Sequence, residues 1–286
     1  MSTKRLYLVS GSIVDILISV VITTHNRLEL LNRALSSLEN QTFTDFEVIV
    51  SDDCSNVDVH DFLENYKKHS QLTIRYRRNS ENKGACYTRN EGIKIARGKY
   101  IAGLDDDDEF TPNRLEVLFN AYKPEYSFIT SNTTVVKKSG QTTLFKSERL
   151  INLKDMLWGN IAGTQVLTEK AKLLELGGFD EELTSAQDAD MWLRLIECYG
   201  PALRLNEPLY ILHTEHEQGR ISTSKNKIKG LLHAYNKHSN KMNENQKSLH
   251  KFKLELYKRD KKLTLSVLKC FSFGFIPYLI YRKLFI

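Results

Sequence analysis

Five acidic residues in a row, Asp105-Asp106-Asp107-Asp108-Glu109, follow directly on the strand-like run Lys99 to Leu104. Adjacent carboxylates repel one another. The repulsion falls sharply when a hard divalent cation sits among them, because such cations prefer carboxylate oxygen. A solvated loop capping the helix near Pro112 is the plainer reading of such a run. Its position at the end of an apolar strand, in company with two other polar strand ends, favours the cation. Those two ends are Thr23-Thr24-His25-Asn26-Arg27 and Ser51-Asp52-Asp53.

A second constellation runs from Ser185 to Leu195. On a helix, Asp188 shares a face with Met191, Trp192, Leu195 and Tyr199, whereas Asp190 faces the side of Arg194 and Glu197. The Asp190–Arg194 spacing reads as an ordinary surface ion pair. Asp188 points with the apolar face near the helix start, where a carboxylate is either an N-terminal cap or a general base in a partly buried site. Spacing leaves both open. Trp158 and Trp192 could stack on a ring of a ligand, but core packing is the better reading of each.

The elements that must position these groups alternate in type. Leu17 to Ile22, Phe46 to Val50, Leu72 to Tyr76 and Lys99 to Leu104 read as strands. Between them, Leu28 to Leu38, Val59 to His69 and Ala85 to Arg97 read as helices, and Pro112 opens another over Asn113 to Tyr122. Such alternation implies an α/β fold, with a mostly parallel sheet covered on both faces. Further on, Tyr126 to Thr130, Thr133 to Lys137, Thr142 to Phe145 and Gly163 to Leu167 are strand candidates, and Gln187 to Tyr199 is a helix. Ligands of an open parallel sheet bind beyond the C-terminal strand ends, where the three polar segments lie. The loop after the first strand has neither GxGxxG nor GxxxxGK[ST], which argues against a dinucleotide enzyme or a P-loop ATPase.

Composition sets the frame. The chain has 286 residues, 41% of them hydrophobic and 27% charged, an ordinary globular mix. Its four cysteines are scattered and contain no CxxC pair, which excludes a disulfide scaffold or a cysteine-built zinc site. Met1 to Ser12 has no long apolar core, so a secretory signal is not expected. The net charge of +6 is divided unevenly: residues 217–286 carry 16 Lys/Arg against 4 Asp/Glu, a net +12, and the first 216 residues are net −6.

These segments resemble glycosyltransferase family 2, whose members have the GT-A fold. Val20-Val21-Ile22-Thr23-Thr24-His25-Asn26-Arg27 is similar to the family's first-strand segment, with Thr23 where proline is common and His25 where tyrosine is common. Gln41 to Asp53, then Asn82-Lys83-Gly84 with Arg89-Asn90 and Gly92, resemble the next two. Leu104 to Asp108 looks like the DxD motif in its extended form, and Gly177-Gly178-Phe179-Asp180 with Gln187-Asp188 like the acceptor-side segments. Gln187 replaces a common glutamate, which leaves Asp188 as the acid there.

The resemblance implies a GT-A, Rossmann-like mixed sheet and an inverting, metal-dependent transfer from a UDP-sugar. By the same carry-over, Thr23, His25, Asn26 and Arg27 lie against the nucleotide, and Asp53 accepts a hydrogen bond from uracil. Lys83 and Arg89 serve the diphosphate or its loop, with a surface helix position the alternative for Arg89. Asp107 holds Mn2+ or Mg2+, Asp105 or Asp106 faces the ribose, and Asp188 is the base. His216 reaches the metal or diphosphate, unless it is a surface histidine like its neighbour His213. The expected acceptor is a polyprenyl-diphosphate-linked saccharide of bacterial surface polysaccharide assembly.

Three regions are expected: an N-terminal extension over 1–12, a catalytic domain over 13–222, and a basic helical tail over 223–286. The nucleotide half of the catalytic domain covers about 13–110 and the acceptor half about 111–222. In the tail, Lys258-Arg259-Asp260-Lys261-Lys262 precedes the uncharged run Cys270 to Tyr281. That run is too short to span a bilayer, which needs about 20 residues. Its aromatics and flanking cations suit an interfacial anchor on an anionic membrane, here the inner face of the cytoplasmic membrane, and weaken a nucleic-acid reading. A helix packed on the domain or a homodimer interface is the alternative. A sugar nucleotidyltransferase and a non-catalytic membrane-bound protein of the same fold are the competing functions.

Overall fold

A computed structural model describes residues 16–145, 147–215, 224–259, 262 and 264–285. The first half is laid down as β1 (Ile18–Thr24), α1 (Leu28–Glu39), β2 (Phe46–Asp52), α2 (Val59–Lys67), β3 (Ile74–Arg78), α3 (Ala85–Ile95) and β4 (Tyr100–Asp105). There follow β5 (Glu109–Phe110), α4 (Arg114–Ala121), β6 (Ile129–Lys137), β7 (Gly140–Thr143), β8 (Arg149–Ile151), α5 (Leu153–Met156), β9 (Leu167–Glu169), α6 (Lys170–Glu175), α7 (Gln187–Tyr199) and β10 (Ala202–His213). The tail supplies α8 (Ser224–His238), α9 (Glu244–Lys258), α10 (Leu265–Lys269) and α11 (Ile276–Phe285).

One mixed sheet runs in the order β3-β2-β1-β4-β9-β6-β10-β5, with β7 beside β6 and β8 beside β10. The ladders β3-β2-β1-β4 and β6-β10 are parallel. β9 joins the two sets antiparallel to both β4 and β6. The first strand is rich in β-branched residues and buried on both faces, as a central parallel strand should be. Its side chains alternate: Val20 and Ile22 pack with Leu31, Leu35 and Leu63, while Val21 packs with Ile93, Ile101 and Trp192 on the opposite face. The expected α/β mostly parallel architecture is therefore present.

Two expectations for the middle of the chain are corrected, and one strand is added. The two strands expected over 126–137 are one, β6. The polar Ser131-Asn132 does not break it, because the buried Asn132 amide pairs with both the N–H and the carbonyl of Phe145. The strand expected from Gly163 begins only at Leu167, because the Asn160 side chain bonds Ala162, Gly163 and its carbonyl and holds 160–163 as a loop. The longest strand, β10, escaped sequence reading, because its pairing with β6 slips around Pro208 and interrupts the alternation.

The tail is helical, as expected, and packs on the segment around α5. Asn243 and Gln246 form a capping box at the start of α9. From α9, Gln246, His250 and Lys253 bond the carbonyls of Lys154, Leu157 and Trp158. Trp158 stacks on Tyr278 of α11, with centroids 4.7 Å apart. Beyond this seat Leu265, Leu268, Phe273 and Ile280 stand exposed, Phe273 at 81%. No helix among the described residues is long and apolar enough to cross a membrane.

Candidate active site

Ladder register brings the three polar strand ends together. Thr23 pairs with Ser51 on one side and Asp105 on the other, and Thr24 pairs with Asp52. Beyond β1 the chain turns at Asn26, which has φ of +57°, a region asparagine tolerates better than most residues. The turn is held by Asn26 N–H to the Ser55 hydroxyl and by Asn56 N–H to the Asn26 side chain. His25 Nδ1 lies 2.9 Å from the Asp53 carbonyl.

The Asp53 carboxylate accepts from the N–H groups of Lys83 and Gly84, each at 2.8 Å, and from the Asn79 amide. It thereby anchors the Asn82-Lys83-Gly84 loop. Its Oδ2 takes only one of these donors, so acceptor capacity remains there. Lys83 pairs through its ammonium with Glu81.

The acidic run alternates in direction. Asp105 and Asp107 keep 24% and 17% of their side chains exposed, whereas Asp106 and Asp108 keep 1% each. Asp105 Oδ1 accepts from Arg89 Nη2 at 2.9 Å and from the Gln165 amide at 2.8 Å. Asp108 accepts from the Tyr210 hydroxyl at 2.8 Å and the His213 N–H at 2.9 Å, both on β10. Arg27 lies 2.7 Å from Asp106 and 3.3 Å from Asp107. The Asp106 oxygens are buried with no hydrogen bond of good geometry. Burial pushes the Asp106 carboxyl up to about 7 against the pull of Arg27. Burial likewise raises Asp105 and, more strongly, Asp108. Crowded carboxylates, of which Asp105 and Asp107 turn partly outward, are the donor chemistry a hard divalent cation takes.

Asp188 faces this run across Arg89. The Arg89 guanidinium is buried, bonded to Asp105, and 3.9 Å from Asp188 Oδ1; the surface alternative for Arg89 is excluded. It lies 4.8 Å over the Phe179 ring. Asn90, the next residue, bonds the Phe179 N–H and carbonyl. A Cβ on Gly178 would stand 2.4 Å from the Asn90 amide oxygen, so this close approach requires glycine. The Gly177-Gly178-Phe179 segment thus buttresses Arg89. Asp188 sits in the first turn of α7 but is not its cap, a position taken by Ala186 with φ of +62°. Burial raises its carboxyl to about 7, opposed by Arg89 and helped by Asp105. Asp188, Asp105, Asp107, Thr23, Arg27 and Arg89 all line one cleft of about 360 Å³.

Asp190 is corrected. It is buried, not on the surface, because α8 covers it. His238 at 2.7 Å, Lys237 at 2.9 Å and Arg194 at 2.9 Å converge on its carboxylate. Trp192 packs in the core between Phe128 and Phe179, as expected. His216 lies outside the described residues. His213 is no bystander, since its ring bridges Glu109 and Glu215 at 2.6 and 2.7 Å. Sequence reading missed Tyr210, Gln165 and His238. Only the alternation in Leu209-Tyr210-Ile211-Leu212 could have drawn attention to the first.

A family profile described as glycosyl transferase family 2 matches residues 19–170. The "Putative colanic acid biosynthesis glycosyl transferase WcaA" of Escherichia coli K12 is 36% identical over 87% of this chain and 90% of its own length. The Escherichia coli "UDP-Glc:alpha-D-GlcNAc-diphosphoundecaprenol beta-1,3-glucosyltransferase WfaP" is 29% identical over 77% of this chain and 84% of its own. Among solved structures, the mannosyltransferase PcManGT of Pyrobaculum calidifontis, in complex with GDP-Man and Mn2+, superposes with a TM-score of 0.63 at 14% identity, over 93% of this chain and 83% of that one. The fold is shared with such glycosyltransferases.

Proposed function

The chain belongs to glycosyl transferase family 2, and from that premise we propose that it moves a hexose or N-acetylhexosamine, with inversion, from a UDP-sugar to a saccharide carried on a polyprenyl diphosphate. The observation that carries this reading is Asp188, a carboxylate raised to about 7, facing the acidic run across Arg89 in one cleft. A lone base opposite a nucleotide site suits a single in-line displacement, with no covalent nucleophile. WfaP's printed substrates, a UDP-sugar and a diphosphoundecaprenol-linked sugar, support the donor and acceptor classes.

Asp107 would hold Mn2+ or Mg2+, with Asp105 toward the ribose; the outward turn of this pair favours that register over Asp106/Asp108. A bound cation supplies charge stabilisation for the departing nucleoside diphosphate. Thr23, His25, Asn26 and Arg27 receive the nucleotide, and Asp53 shapes the loop that faces the base. Arg89 fixes Asp105 and keeps positive charge beside Asp188. Asp188 accepts the proton of the acceptor hydroxyl, at a pKa well matched to neutral pH.

The exposed apolar residues of α10 and α11, next to Lys258, Arg259 and Lys262, support a peripheral seat on the inner face of a bacterial cytoplasmic membrane. Family membership sets aside the nucleotidyltransferase reading.

The test is UDP release by purified protein from a panel of UDP-sugars, with and without a polyprenyl-diphosphate-linked N-acetylglucosamine. One donor should turn over with Mn2+ or Mg2+, EDTA should abolish turnover, and the product should carry the opposite anomeric configuration. Full activity in EDTA would remove the metal from the mechanism, and a retained anomer would remove inversion. No turnover with any donor would favour the non-catalytic reading.

A further inference from the structure

A second cavity, of about 370 Å³, lies between the start of α7 and the inner faces of α8 and α9. It adjoins the donor cleft, because Ser185, Ala186 and Asp188 line both. Leu193 of α7, Leu231 of α8 and Leu254 of α9 make its walls largely apolar. Lys227 reaches it from α8 and Lys253 from α9. Lys227 is steadied over the Tyr257 ring at 4.1 Å, and Lys253 donates to the Trp158 carbonyl at 3.2 Å. His238, 4% exposed, also borders the cavity. Its Nε2 is taken by Asp190, while its Nδ1 is buried with no hydrogen-bond partner.

An apolar pocket with a few convergent polar groups is the usual form of a small-ligand site. Asp190 brings little negative charge here, because Arg194, Lys237 and His238 already meet it. Asp188 adds a carboxylate on the shared wall, so an anion with an apolar group beside it is favoured where Lys227 and Lys253 line the cavity. α9 indicates what kind of molecule that is. It turns Lys253 and Leu254 to the cavity, while the adjacent Phe252 packs on Phe271 and Phe275 at 6.0 and 5.7 Å, beneath the exposed Phe273. The same helix thus carries the cavity wall at Lys253 and Leu254 and, one residue earlier, an apolar cluster that ends in the exposed Phe273.

We propose that this cavity seats the acceptor's aglycone: a diphosphate held between Lys227 and Lys253, with the first units of a prenyl-type chain against Leu231 and Leu254. That seat leaves the acceptor sugar at Asp188, on the wall the two spaces share. The assignment rests on the transferase reading above and adds the groups that would select a lipid-linked acceptor.

The probe is farnesyl diphosphate, titrated calorimetrically into full-length protein saturated with UDP and Mn2+, so that the donor cleft is closed to it. One equivalent should bind. Lys227→Gln with Lys253→Gln should weaken it about tenfold or more, and Leu231→Trp, which fills the cavity, should abolish it. UDP affinity should stay within about twofold in both variants, since both changes lie outside the nucleotide groups. Farnesol and inorganic diphosphate should each bind at least about tenfold more weakly than the joined molecule. Failure of UDP-loaded wild type to bind the probe, or binding unchanged in both variants, overturns the proposal while leaving the donor site standing. A wild-type protein that binds no UDP sinks the transferase reading first, and this seat with it.

Discussion

The two walls of the cleft are built on different principles. The wall proposed to take the donor, called the donor wall, is the C-terminal edge of β2, β1 and β4, where backbone ladders fix Thr23 against Ser51 and Asp105. The wall proposed to take the acceptor, called the acceptor wall, is α7, held by side chains: Asp190 gathers Arg194, Lys237 and His238, and α8 presses its backbone on Ser185, where a Cβ on Gly230 would come within 2.4 Å. A wall set by main-chain register changes little with sequence. A wall set by ion pairs and a helix seat can be altered one residue at a time. The division suits an enzyme that keeps its nucleotide and varies its acceptor.

The sharpest way to break this comparison is at Asp188, the acceptor-wall residue nearest the donor groups. Asp188→Asn should lower kcat about 10³-fold, within the usual worth of a positioned base. UDP affinity should not move. Because burial raises this carboxyl to about 7, wild-type kcat/KM should fall as pH drops below that value, where the protonated group cannot take the acceptor's proton. An asparagine variant within tenfold of wild type, or a profile flat from pH 6 to 8, would remove Asp188 from the role.

Asp190→Asn probes the ion-pair support. Burial alone would raise this carboxyl, but His238, Arg194 and Lys237 together hold it well below the ordinary range. Replacing it removes the buried carboxylate that Arg194, Lys237 and His238 share, and urea unfolding should show a loss of about 3 kcal/mol. A depressed carboxyl stabilises the fold fully above its unfolded value of about 4. The wild-type advantage should therefore shrink as the pH falls further. If UDP affinity drops in step with stability at neutral pH, the walls are not independent.

The smallest effect should come from the rim. Phe273 is the most exposed large apolar residue among the described residues of the tail. Phe273→Ser should weaken co-sedimentation with anionic vesicles about tenfold, the worth of one buried aromatic side chain. Added salt should weaken it further by screening the neighbouring lysines. Equal partitioning of variant and wild type would make the patch a packing or dimer surface.

The same contrast explains what could be read from sequence. β1 to β4 and α1 to α3 fell within about two residues of their observed bounds, because apolar runs alternating with helical spacing are local signals. So did α7, whose Asp188 lines the cleft. The grip on the acidic run was hidden, because Tyr210 and His213 reach Asp108 from a strand more than a hundred residues away. Asp190 was misplaced for a similar reason. Helical periodicity describes a helix's own faces and cannot tell that α8 closes one of them.

Gly230 against Ser185 also orders events on the ribosome. The chain is made from its N-terminus, and domains fold largely as they emerge. The strands β1, β2 and β4 are complete before α8 has been synthesised, so the side of the cleft that carries Asp188 is braced last. On the proposed function, handling of the acceptor is the last property the growing chain acquires.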